Sequence, residues 1–404
     1  MRNNPEVDSP YAWARLVVSV LLTTLGSSGM FIVSVALPQV QAEFGVTRSE
    51  ASLPYTLTMI GLGLGSIVMG KVSDRIGIMW PVLFGSVCLS AGYILASKAG
   101  SLGEYAATYG VLIGLLGSSA TFGPLIADTS LWFSRRRGVA VGICASGNYL
   151  GGAIWPTVAQ HFFQTVGWRQ TFFGIGCFCL VAMLLLALLL RRRPAAQSAN
   201  LPSSLSTGAR SLGLSPNTLQ TLLCVAGVGC CVAMSMPQVH IVAYCADLGY
   251  GPARGAQMLS MMLGFGIVSR ITFGVLSDRI GGVRTLIIGS ALQGVALLMF
   301  IPFDGLVSLY VISAMFGLFQ GGIVPSYAII VRENFSPKEA GVRITMVLTA
   351  TMFGMALGGW LTGAIFDLTG SYNAAFMNGI AWNALNLTIA TWLLRRSMRR
   401  LVTT

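Results

Sequence analysis

Arg270 interrupts the apolar stretch Met261–Gly274, eight residues before Asp278 opens a charged turn. Helical rise puts its guanidinium about 12 Å deep, close to the middle of a hydrocarbon layer roughly 30 Å thick. A side chain that cannot lose its proton costs at least ~2.5 kcal/mol there, so it should face a cavity or an anion. The chemistry on offer is charge-assisted, bidentate capture of a carboxylate. The alternative is a structural arginine that pairs helix-end carbonyls.

Further candidates gather around it. His240 and Tyr244 are one turn apart and share a helix face; His240 could bond a carboxylate, carry a proton near neutral pH, or bond a neighbouring helix. Asn148 and Tyr149 lie in a glycine-rich run whose small residues leave room for a cavity. Tyr55, Phe122, Gln320 and Tyr327 are candidates for lining a passage, although aromatic residues in membrane helices also serve as packing or interface anchors. His161, followed by Phe162 and Phe163, reads as interfacial. Asp128, about 10 Å inside its segment, is expected to pair with arginines of the basic loops rather than to carry protons.

The elements that must position these residues are membrane spans. Hydrophobic residues make up 54% of the 404, charged residues 9%, and mean hydropathy is +0.74; a soluble domain with water-facing helices could not sustain this. The lipid bilayer is therefore a partner. The net charge of +12 lies in short clusters between apolar segments, a pattern that sets topology and does not suit nucleic acid. Eight cysteines fall in apolar runs without metal-site spacing, so neither metal nor cofactor is expected. No Walker-type lysine motif occurs, and neither histidine belongs to an H-E-x-x-H pattern, so ATP-driven and enzymatic readings are set aside. Met1–Tyr11 has no short apolar core with a cleavage site, and the first apolar run is retained as a span.

Six apolar segments fall around Leu16–Pro38, Ala51–Met69, Trp80–Ala96, Tyr105–Ser130, Val139–Phe163 and Phe172–Leu190. Arg191-Arg192-Arg193-Pro194 then opens a polar stretch. Six more fall around Thr218–Tyr244, Ala256–Leu276, Thr285–Ile301, Leu306–Val331, Ile344–Phe366 and Ala374–Leu394. The expected organisation is an all-α integral membrane protein of twelve helices in two pseudo-symmetric bundles, residues 1–190 and 218–404, joined by a cytoplasmic linker at 191–217. With both termini cytoplasmic, only Arg48, Lys98, Arg169 and Arg254 of the chain's 25 lysines and arginines fall outside, apart from the intramembrane Arg270. This asymmetry sets the orientation in a cell membrane, expected to be a bacterial inner membrane.

The halves repeat each other. Gly70-Lys71-Val72-Ser73-Asp74-Arg75-Ile76-Gly77 follows the second span, and Gly274-Val275-Leu276-Ser277-Asp278-Arg279-Ile280-Gly281 follows the eighth, half a chain later. These turns resemble the G-x-x-x-D-R-x-G signature of the major facilitator superfamily. They assign Gly70, Asp74, Arg75, Gly274, Asp278 and Arg279 to a gate, with the aspartates capping helices and pairing basic-loop arginines. A narrower likeness lies in Trp132-Phe133-Ser134-Arg135-Arg136-Arg137-Gly138 with its small-residue continuation to Gly147, and in Met236–Tyr244 followed by Asp247-Leu248-Gly249. Both resemble monocarboxylate transporters and the related oxalate/formate antiporters, and the resemblance puts Arg270 where that group has its carboxylate-binding arginine.

The departures from that group bear on chemistry. Its antiporters carry a second cation in helix eleven, and Leu348–Gly354, with Thr351 at the matching place, has none. Its animal members have an aspartate one turn before the arginine, where this chain has Gly266. The aromatic cage is thin, with Met30, Val35, Gly317 and Gly321 at the corresponding places. One carboxylate and a roomier pocket are implied, so monocarboxylates should outcompete dicarboxylates. Proton symport would need a group other than an acid at 266, and His240 is the nearest by register. The expectation is a monomeric secondary active or facilitative transporter of a small organic monocarboxylate, with a proton or counter-anion as possible coupling partner. Export of amphipathic drugs or other organic solutes, and a non-transporting sensor of the same fold, remain the alternatives.

Overall fold

The computed structural model describes residues 7–134, 136–192 and 214–403. Arg2, Arg135, Arg193 and Arg210, and most of the expected 191–217 linker, lie outside the described residues. Twelve helices cross the layer in two bundles. The first bundle holds α1 (Pro10–Phe44), α2 (Arg48–Ile76), α3 (Met79–Ala96), α4 (Leu102–Leu131), α5 (Arg137–Thr165) and α6 (Trp168–Leu188). The second holds α7 (Pro216–Asp247), α8 (Pro252–Ile280), α9 (Gly282–Met299), α10 (Leu306–Asn334), α11 (Pro337–Thr369) and α12 (Tyr372–Thr403). Among the described residues, ten helices qualify as spans by length and hydropathy alone. The other two are α5, rich in glycine, and α12, which carries Asn373, Asn378, Asn383 and Asn386. The interior absorbs that polarity: Asn383 donates to Ser290 O at 2.8 Å and Asn386 to Ser290 Oγ at 2.7 Å.

Most helices outrun their apolar segments because caps, not hydropathy, end them. At the start of α7, Pro216 presets the first turn and Ser215 Oγ accepts from Thr218 N at 3.2 Å. Thr47 and Glu50 form a reciprocal cap at the start of α2. The repeated turns close alike: Gly77 and Gly281 take φ 88° and 85°, and their N–H groups donate to Ser73 O and Ser277 O at 2.8 and 2.9 Å. A left-handed φ is what glycine supplies at no steric cost. The membrane face carrying these turns is the basic face, and the other the far face.

The packing is repeated as well. The pairs α1–α5, α2–α4, α3–α6 and α3–α4 reappear as α7–α11, α8–α10, α9–α12 and α9–α10. The bundles meet through α5–α8, α2–α11 and α1–α7. The Gly61–Gly65 run serves these contacts: Gly61 and Gly65 rest on the α4 backbone at Gly110 and Leu115, while Gly63 faces Met352 of the other bundle.

Candidate functional site

Arg270 lies on the face of α8 that meets α5. It is half-buried, donates from Nη1 to Ala145 O at 3.0 Å, and stacks with its Cζ 4.6 Å from the Tyr149 ring centroid. Its Nε is buried and lacks a hydrogen-bond partner. A guanidinium has five donors in one plane; here Nη1 is anchored to the first bundle, the cation sits over an aromatic ring, and only that one donor is bonded to protein. Among the described residues, no other lysine or arginine stands at the middle of a span. Asn148 is half-buried and shares the Ala145–Tyr149 face of α5.

The bundles are joined from the far face down to this level. Thr157 and Ser260 hydroxyls meet at 2.8 Å, Thr56 donates to Ala356 O at 3.2 Å, and a methyl at Gly63 would lie 3.3 Å from Met352 Cβ. Nearer the basic face, Gly142 of α5 and Gly274 of α8 have nothing within 4 Å of a notional Cβ, as have Gly70 of α2 and Gly341 of α11. The α5–α8 and α2–α11 pairs are thus in contact down to about the level of Arg270, and the glycines that follow on the same faces meet nothing nearer the basic face.

Closure at the far face centres on Arg48, a residue that sequence reading used only to count charge. Its guanidinium holds both Asp247 oxygens at 3.1 and 3.2 Å, donates to Tyr372 OH, and lies 4.7 Å from the Phe366 ring centroid. Asp367 in turn accepts from the backbone N–H groups of Arg48 and Ser49, each at 2.8 Å. One residue of the first bundle is thus gripped by α7, α11 and α12. A visible signal was the pairing of one of the few far-face cations with two acids, Asp247 and Asp367, that each close a helix.

The remaining candidates lie elsewhere. His240 Nε2 is 2.8 Å from Gly359 O, and Tyr55 of α2 covers the other side of the same glycine. Tyr244 packs edge-on against Tyr372 and Phe376 at 5.1 and 5.7 Å. These three belong to the far-face closure. By helical rise His240 is about 10 Å from the far end of α7 and Arg270 about 27 Å from that of α8, so the structure does not bring them together. Gln320 accepts from Gln238 at 2.8 Å and Tyr327 donates to Asn386 at 2.7 Å, both fully buried inside the second bundle. Phe122 is half-buried at the joint that opens the last segment of α4. His161 is exposed against Phe162. Asp128 forms a buried ion pair with Arg15 at 2.9 Å, covered by Trp132. Thr351 packs against Gly227 of α7. Asp74 and Asp278 are exposed, with no ion pair among the described residues.

The repeated pair of six-helix bundles, with a cation at mid-span, is the arrangement that the comparisons with known proteins place in a family. The sequence profile of the Major Facilitator Superfamily matches residues 19–308 and 223–403, and the chain belongs to that family. It is 28% identical over 379 residues to Monocarboxylate transporter 13 of Rattus norvegicus, covering 87% of this chain and 86% of the relative. It is 24% identical over 315 residues to Agnestins efflux protein AgnL12 of Paecilomyces divaricatus, covering 78% and 71%. The fold matches a bacterial homologue of the human lysosomal transporter Spinster, solved in an inward-facing, occupied conformation, with TM-score 0.71 at 15% identity over 96% and 97% of the two chains. The chain is a multi-pass membrane transporter homologous to monocarboxylate transporters.

Proposed function

We propose that the protein carries small organic monocarboxylates across the membrane by alternating access, with Arg270 as the carboxylate-binding residue and Tyr149 and Asn148 beside it. The observation that carries this reading is a half-buried guanidinium at mid-span with a single hydrogen bond to protein, from Nη1 to Ala145 O, among the described residues. A carboxylate there would complete the guanidinium's bonding and lower the cost of a desolvated charge, so that binding favours closure around it. The basic face is taken as cytoplasmic, with both termini on that side, which makes this conformation inward-facing; residues 1–190 and 218–404 are the rocking units and 191–217 their linker. The substrate is expected to be bound by a monomer.

The test is binding of pyruvate, lactate, acetate, oxalate and succinate to the purified chain. Monocarboxylates are expected to outcompete dicarboxylates, and Arg270→Gln to lose binding by about thirtyfold or more, since a charge-assisted contact in a desolvated site contributes about 2–5 kcal/mol. Unchanged affinity in Arg270→Gln would remove the carboxylate site. Efflux of a larger organic solute is the second reading, favoured by the likeness to an efflux protein; uptake and export assays with lipophilic cations against carboxylates separate the two.

A further inference from the structure

Arginine is a poor anchor unless something holds its plane, because its long side chain has many rotamers. Around Arg270 that holding comes from a single turn of α5. Ala145 O accepts from Nη1 at 3.0 Å, and Tyr149, four residues on, carries the guanidinium carbon over its ring, 4.6 Å from the centroid. The matching turn of α8 consists of Gly266 and Arg270, also four residues apart and so on one face. Gly266 has no side chain, and the Tyr149 ring occupies the place where one would stand: a methyl at 266 would overlap ring carbons Cδ1 and Cε1. Nor can α8 yield by moving away, because on its other side the Gly266 carbonyl is pressed by Gly321 of α10, and Gly317 abuts Met262 one turn earlier. Any side chain at 266 must therefore displace the tyrosine.

We propose that Tyr149 is a positioning residue that stacks on Arg270 and aims its planar donor edge at the carboxylate, and that Gly266 is the vacancy that makes the stack possible. This rests on the carboxylate reading of Arg270 and adds to it a specific division of labour. The guanidinium carbon stands over the face of the ring, where a cation is attracted to the π-system, while Nη1 is held by Ala145 O. A bulkier residue at 266 and the tyrosine stack exclude each other. Because Tyr149 is on the first bundle and Arg270 on the second, the stack also ties the aim of the arginine to the two bundles being together at this depth.

The experiment uses the full chain in detergent with labelled pyruvate as probe, and 3-fluorotyrosine placed at 149 for 19F spectra without ligand. Tyr149→Phe is expected to hold pyruvate within about threefold of the wild type, because the face-on cation contact survives. Tyr149→Leu and Gly266→Ala should each lose at least tenfold in affinity, and the double variant should be no weaker than the poorer single variant, since both remove the same contact. Gly266→Ala and Arg270→Gln should each shift the 19F resonance at 149. Wild-type affinity in Tyr149→Leu, multiplying losses in the double variant, or a 19F resonance indifferent to Gly266→Ala would overturn the proposal. If the wild type binds no pyruvate while both substitutions still move the resonance, the stack stands and the carboxylate reading fails.

Discussion

Arg270 and His240 show what a single residue can and cannot reveal in one dimension. The arginine was legible because a permanent charge in hydrocarbon needs a reason, and the count of residues to Asp278 gave its depth. Helical spacing also put His240 and Tyr244 on one face, but spacing does not say what a face looks at. That face looks toward Gly359 and Tyr372, where His240 is fully buried with Nε2 held at 2.8 Å. Carboxylate affinity measured across roughly pH 5–8 should therefore follow the same course in wild type and His240→Gln once the ligand's own ionisation is subtracted. An affinity that falls with rising pH in the wild type alone would return His240 to the role of proton carrier.

At the scale of elements, the site depends on how closely α8 can be approached. Gly317 and Gly321 bring α10 against its backbone at Met262 and Gly266, so α8 is pinned from behind while Tyr149 presses from the front. Gly317→Val should lower stability by about 1–3 kcal/mol, the usual cost of overpacking, and weaken carboxylate binding without touching the ligand. Gly142→Ala, which meets open space, should stay within about 0.5 kcal/mol of wild type. Melting in detergent beside pyruvate affinity checks both, and equal losses in the two would mean that close approach is not what matters. The existence, order and repetition of the helices were readable, since hydropathy and the paired turns at Gly70–Gly77 and Gly274–Gly281 report them directly. The joints at Ser27, between Tyr109 and Thr121, and at Gly321–Gly322 were not, because they arise where two helices press together and leave no mark in hydropathy.

For the whole molecule, the decisive contacts join residues remote in sequence. Arg48 reaches Asp247, Asp367 and Tyr372 across intervals of about 200 and 320 residues, so no local pattern could have announced the cluster. Every one of these contacts crosses between the bundles, and the alternating access proposed here would require each to part when the far face opens. On that proposal they stabilise the conformation closed at the far face and contribute nothing to the other, so weakening them must shift the equilibrium toward the far-face-open form. Arg48 is nearly buried while the Asp247 side chain is 38% exposed; this favours the lower part of the ~2–5 kcal/mol range for truncating a buried charge pair. Asp247→Asn and Asp367→Asn keep the shape of the cluster while removing the two negative charges that face Arg48, and together should raise the far-face-open population at least tenfold. Spin-label distances between the far ends of α2 and α11 should lengthen, while those between their basic-face ends shorten. If both distance distributions match the wild type, closure is held by the close packing of Tyr55 on Gly359 and of Ser49 on Gly363, and the charges at Arg48 are incidental to it.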